Sequence, residues 1–173
     1  MKNNFFKVIV FSFVVFFLSI FWLGLKKENN YNTKNLTGSK ITSFQLSSIH
    51  NDNLISDKIL MQNEYTLINF FASWCAPCRL EHKYLIELAN QKKNIEILGI
   101  NYKDNKNNAL NFLKEIGDPY NFVAADPDGK VSILFGVYGI PESILIDKEL
   151  IIKKKIIGPI DQKKLNDILK LIK

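Results

Sequence analysis

Two cysteines, Cys75 and Cys78, stand three positions apart where one hydrophobic pattern gives way to another, and the chain has no others. Upstream, Tyr65 to Phe71 is rich in β-branched and aromatic residues and reads as a buried strand. Downstream, Leu80, Tyr84, Leu85 and Leu88 recur at helical spacing with polar residues between them. The pair therefore occupies a strand-to-helix turn. The first turn of a helix offers unpaired backbone N–H groups and the positive end of the helix dipole, and a thiolate is stabilised there. Cys75, expected on the exposed side of the turn, reads as a nucleophile with a lowered pKa. Cys78, one turn further in, is placed to attack a mixed disulfide formed by Cys75 and to leave a Cys75–Cys78 disulfide. Pro77 is tolerated because first-turn N–H groups have no helical partner to lose.

Other uses of a cysteine pair fit less well. A zinc site would need His82 and His50, and no zinc-finger spacing is met. Covalent haem needs His directly after the second Cys, where this chain has Arg79. A purely structural disulfide stays open, although so short a loop restrains an unfolded chain very little. No metal ligand set emerges, and no cofactor is expected beyond the redox-active disulfide. Asp126-Pro127-Asp128-Gly129 reads as a tight turn and lacks the spaced ligands and terminal Glu of a calcium loop.

At 173 residues and 47% hydrophobic content, the chain has enough for one ordinary core. Its formal charge of +6 raises the question of nucleic acid. The lysines are scattered, Arg79 is the only arginine, and no nucleic-acid motif accompanies them. A solvated surface near anionic lipid accounts for the charge, and no nucleic-acid partner is expected.

Residues 1–7 are short and basic, and 8–25 form an uncharged apolar run closed by Lys26-Lys27. Eighteen such residues span roughly 27 Å as a helix, enough for a thin bilayer core. A cleaved signal peptide competes with an uncleaved signal-anchor. The end of the run, Phe21-Trp22-Leu23-Gly24-Leu25, lacks the small-x-small pattern of a cleavage site and favours the anchor. The N-terminal charges then place residues 1–7 in the cytoplasm and the rest outside, in a bacterium in the periplasm. Residues 26–40 read as a polar tether, and 41–173 as the folded domain.

Within that domain, Ile41 to Leu46 and Leu54 to Leu60 suggest a leading strand pair, with His50 in the loop between them. Tyr65 to Phe71, the helix after Cys75 and Ile95 to Asn101 form a strand-helix-strand unit, parallel and right-handed if in one sheet. Asn107 to Ile116 reads as a helix with Leu110, Leu113 and Ile116 inward, stopped by Gly117. Ser143 to Ile146 and Leu150 to Ile157 read as paired strands. Asp161 is expected to cap a last helix that buries Leu165, Ile168, Leu169 and Ile172.

Trp74-Cys75-Ala76-Pro77-Cys78 between a strand and a helix resembles the thioredoxin superfamily. Gly99-Ile100-Asn101-Tyr102-Lys103-Asp104, Gly117-Asp118-Pro119-Tyr120, Asp126 to Lys130 and Phe135-Gly136-Val137-Tyr138-Gly139-Ile140-Pro141-Glu142 narrow this to a resemblance to the CcmG/DsbE family. The resemblance runs from about Phe44 to the C-terminus. It implies an α/β thioredoxin-like fold, a central mixed sheet flanked by helices, behind an N-terminal transmembrane helix. It implies a cis bond at Ile140-Pro141, with the backbone beside Pro141 lining a substrate groove against the cysteines. Trp74 and Pro77 belong to the matching motif. Asn69 stands where the thioredoxin pattern has a buried Asp, so that proton acceptor is absent, and an amide bonded to backbone is expected instead. Glu142 becomes the candidate proton acceptor for Cys78, and a strand-edge carboxylate in water is the plainer expectation.

The resemblance further implies a membrane-anchored periplasmic thiol:disulfide oxidoreductase of cytochrome c maturation. Its partners would be apocytochrome c or another maturation protein, and a DsbD- or CcdA-like membrane electron donor. A reducing potential is expected, since a reductant in an oxidising compartment needs a dedicated supply. A general thiol reductase of the TlpA or ResA type, or a non-enzymatic apocytochrome holdase, are the alternatives.

Overall fold

A computed structural model describes residues 2–25, 36–51, 53–91 and 94–172, in two units, Met1–Asn32 and Thr33–Lys173. The first contains α1 (Lys2–Leu25), whose stretch Phe6–Gly24 is long and apolar enough to cross a membrane. The helix starts ahead of the expected residue 8 because Asn3 to Lys7 contains no helix breaker. Met1 and residues 26–35 of the expected tether lie outside the described residues.

The second unit starts earlier than residue 41. Leu36 packs on the core, the Gly38 N–H donates to Ile152 O at 2.8 Å, and the Ile152 N–H donates to Ser39 O at 2.9 Å. Lys40 forms a bridge with Ile151. Residues 36–40 thus belong to the domain and not to a tether. Their polar composition hid this, since backbone groups pair with a strand whatever the side chains are.

Among the described residues, seven strands form one sheet in the order β2-β1-β5-β4-β3-β6-β7. β1 (Gln45–Ser48) and β2 (Leu54–Ser56) make the leading antiparallel pair. It is shorter than expected because Asp57 turns the chain into α2 (Asp57–Leu60), its carboxylate accepting from Ser43 Oγ and the Phe44 N–H. β3 (Tyr65–Phe71), α3 (Ala76–Gln91) and β4 (Ile95–Tyr102) form the expected parallel unit. α4 (Lys106–Ile116) follows and buries Ala109, Phe112 and Leu113, so its inward stripe is turned from the expected one, with Leu110 and Ile116 only partly covered. β5 (Phe122–Asp126), parallel to β4, and α5 (Lys130–Leu134) come next. β6 (Glu142–Asp147) pairs antiparallel with both β3 and β7 (Ile152–Ile157), and α6 (Gln162–Leu171) closes the fold, capped by Asp161 accepting from the Lys164 N–H at 2.8 Å.

Alternation along β3 assigns the two faces. Leu67 and Phe71 pack with residues of α3, α4 and α6, whereas Ile68 and Phe70 pack with Phe44, Leu60 and Phe135 on the other side. With both faces covered, β3 reads as a continuous apolar run broken only by Thr66 and Asn69. The thioredoxin-like fold expected from the sequence is the fold observed.

Candidate active site

Cys75 follows β3 and immediately precedes the first residue of α3, so it occupies the helix N-cap. Its sulfur accepts the Cys78 N–H at 3.2 Å, as a side-chain oxygen would in an ordinary cap. Pro77 falls in the first turn, where its missing N–H costs no helical bond. Cys75 and Cys78 are joined in a disulfide, S–S 2.03 Å. Both are recessed, with 4% and 2% exposure, so Cys75 is less open than expected. The reason is packing: the pair belongs to an apolar cluster with Phe71, Phe112, Leu113 and Val123, and Ile140 leans on it.

Trp74, 59% exposed, lies beside this recess. Its indole N–H donates to Lys103 O at 3.2 Å, and the preceding Ser73 is held from the same loop. Asp104 accepts the Ser73 N–H at 2.6 Å and the Ser73 hydroxyl at 2.9 Å. The loop after β4 thereby fixes the approach to Cys75.

The Ile140-Pro141 bond is cis, as the resemblance implied, and Glu142 follows it as the first residue of β6. Glu142 is buried, not a carboxylate in water. One oxygen accepts the Tyr138 N–H at 3.0 Å and the Gly139 N–H at 3.3 Å, and the other lies 3.0 Å from Lys155 Nζ. Lys155 also donates to Gly136 O and sits over the Tyr138 ring. The carboxylate expected to take a proton is thus committed to clasping the loop that carries Ile140 and Pro141.

A different acid lies on the helix that carries Cys78. Glu81 is one helical turn after Cys78 and on the same face of α3. It has no exposed surface, and burial pushes its carboxyl up to about 7, against the opposing pull of its hydrogen bonds and of Lys164. Oε2 accepts the Ile160 N–H at 2.7 Å and Oε1 accepts Asn69 Nδ2 at 2.9 Å. Asn69 therefore bonds side chains, not backbone: Nδ2 also reaches Ser143 Oγ at 3.0 Å, and Oδ1 accepts the Tyr120 hydroxyl at 2.8 Å. Sequence reasoning missed Glu81; the available signal was its spacing of three from Cys78.

The histidines lie elsewhere. His82, its pKa lowered chiefly by burial, donates from Nε2 to Gly117 O at 2.8 Å. His50 is in the β1–β2 loop, 3.5 Å from Asp118. Arg79 pairs with Glu115 at 2.8 Å and lies over the Phe112 ring.

The profile of the Redoxin family matches residues 36–172. The chain is 50% identical over 99 residues to the thiol:disulfide interchange protein CycY of Rhizobium leguminosarum bv. viciae, a match covering 57% of this chain and 53% of that protein, about half its length. It is 40% identical over 127 residues to the thiol:disulfide interchange protein DsbE of Tatumella citrea, covering 73% of this chain and 68% of that one. Among solved structures, a thiol:disulfide interchange protein from Bacteroides sp. superposes with a TM-score of 0.68 at 24% identity, over 79% of this chain and 90% of that one. That last likeness concerns the fold.

Proposed function

Because the chain belongs to the CcmG/DsbE family of thiol:disulfide interchange proteins, within the Redoxin family, we propose that this thiol-disulfide oxidoreductase is a membrane-anchored periplasmic reductase of cytochrome c maturation. Its client in this reading is the Cys-x-x-Cys-His disulfide of apocytochrome c, or a mixed disulfide on a partner maturation protein. The apolar stretch of α1 supports the anchor.

The observation that carries the chemistry is the Cys78 N–H directed at the Cys75 sulfur from the first turn of α3. In the reduced protein that donor and the helix end favour a Cys75 thiolate. The thiolate attacks one sulfur of the client disulfide; a Cys75–client bond forms, the client S–S bond breaks, and the departing client sulfur takes a proton. Cys78 then gives its proton to the Glu81 carboxylate and attacks the Cys75 sulfur. The second client sulfur leaves as a thiolate and takes a proton from water, and the Cys75–Cys78 disulfide remains. Two electrons have passed to the client, and a DsbD- or CcdA-like dithiol on the membrane returns them. A carboxyl titrating near 7 suits the base, since at neutral pH it is ionised often enough to accept a proton and basic enough to hold it.

Ile140, packed on the cysteine cluster, and Tyr138, 77% exposed, lie on the loop held by Glu142 and are the apolar residues offered to the client in this reading. Cys78→Ser tests the reading in cells: the client should stay bonded to Cys75, and apocytochrome c or a maturation protein should be recovered. A broad set of trapped proteins would instead favour a general reductase. Full cytochrome assembly by a Cys75→Ser, Cys78→Ser form would overturn the mechanism.

A further inference from the structure

We propose that Tyr120 is a positioning residue for this reaction: its hydroxyl fixes the Asn69 amide with the nitrogen toward Glu81, and so keeps Glu81 available to take a proton. The proposal rests on the reading of Glu81 as the base for Cys78.

Asn69 is fully buried in the middle of β3, and its amide has two possible faces toward Glu81. With the nitrogen facing it, as observed, Asn69 donates to a carboxylate and stabilises the ionised form. With the amide turned, its carbonyl oxygen would face Glu81 and accept the proton of a carboxylic acid, stabilising the neutral form. Ser143 does not choose between the two, because a hydroxyl both donates and accepts. Tyr120 does choose. Its O–H donates to Asn69 Oδ1 at 2.8 Å, and turning the amide takes that acceptor away. A buried donor without an acceptor is costly, so the phenol penalises the turned amide and with it the protonated carboxyl. Burial also holds the phenol well above its ordinary pKa, so it remains a donor throughout the neutral range.

The ring is seated for this task. It stacks on Phe71 with centroids 4.9 Å apart, and it lies over Gly99, the residue paired with Asn69 on β4. A Cβ at Gly99 would stand 3.0 Å from the Tyr120 ring and from Phe71, so the missing side chain is what admits the phenol to Asn69. The charged and titratable groups acting on Glu81 are Lys164 from α6 and Tyr120 from the segment before β5, and Cys78 stands one turn before it on its own helix. Removing one hydroxyl leaves Lys164 and Cys78 in place.

The test is carbon-13 NMR titration of the Glu81 carboxyl in the full-length oxidised protein, the signal identified by its loss in Glu81→Gln. Tyr120→Phe keeps the ring and its packing. It should raise the Glu81 midpoint, binding the proton about tenfold more tightly. In an Asn69→Ala background, or Asn69→Val should the first not fold, the same Tyr120→Phe change should move nothing, because the group that transmits the effect is gone. An unmoved midpoint in Tyr120→Phe overturns the proposal, as does an equal shift with and without Asn69. The pH profile of Cys78 reactivity in the reduced protein separates the two ideas. If the Glu81 midpoint moves and that profile does not follow, Tyr120 positions Glu81 but Glu81 is not the base.

Discussion

Between the ordinary carboxyl value of 4.5 and about 7, the folded chain keeps a proton on Glu81 that the unfolded chain has released. The folded state binds more protons in that window, so stability is highest below it, falls as pH rises through it and levels off above. The loss amounts to about 3 kcal/mol. Urea unfolding of the oxidised protein at about pH 5 and about pH 8 should show the drop, and Glu81→Gln, neutral throughout, should flatten it. Apart from its spacing of three from Cys78, nothing in the sequence marked this acid. Glu81-His82-Lys83, between Leu80 and Tyr84, looks like the polar face of a surface helix, and Ile160, 79 positions away, closes over Glu81 with a backbone N–H. Cys75 and Cys78 were legible because their chemistry depends on a local device, the start of a helix. Asn69 was half legible: its burial followed from its strand, but its partners come from β6, α3 and the segment before β5.

At the scale of elements, the segment from Gly136 to Glu142 is held by one buried ion pair. Lys155 reaches it from β7 and Glu142 from β6, so the loop beside the sulfurs is fastened to the sheet it borders. Lys155→Met leaves a buried carboxylate without its cation and should cost about 3–5 kcal/mol in denaturant unfolding. Adding Glu142→Gln should recover most of that loss, because the uncompensated charge is then gone. β3, α3 and β4 were legible as elements because their β-branched and helical periods are long and uninterrupted. β5 was not. Phe122-Val123-Ala124-Ala125-Asp126 has two alanines and lies between Pro119 and Pro127, so its strand character comes from pairing with β4 and β1.

For the whole molecule, the boundary of the folded unit has an energetic test. A chain starting at residue 36 should unfold at the same denaturant concentration as the domain in the full chain. One starting at residue 41 should be weaker by about 1–3 kcal/mol, the packing of Leu36 together with the backbone bonds to Ile152. The direction of those bonds matters as well. Residues 38–40 join beside Leu150 to Ile152, at the turn between β6 and β7, which lies next to Tyr65. The sulfurs depart from Phe71, at the other end of the same strand. The chain therefore enters the domain at one pole and is reactive at the other. A redox partner thus meets the sulfurs without first passing the place where the chain enters the domain.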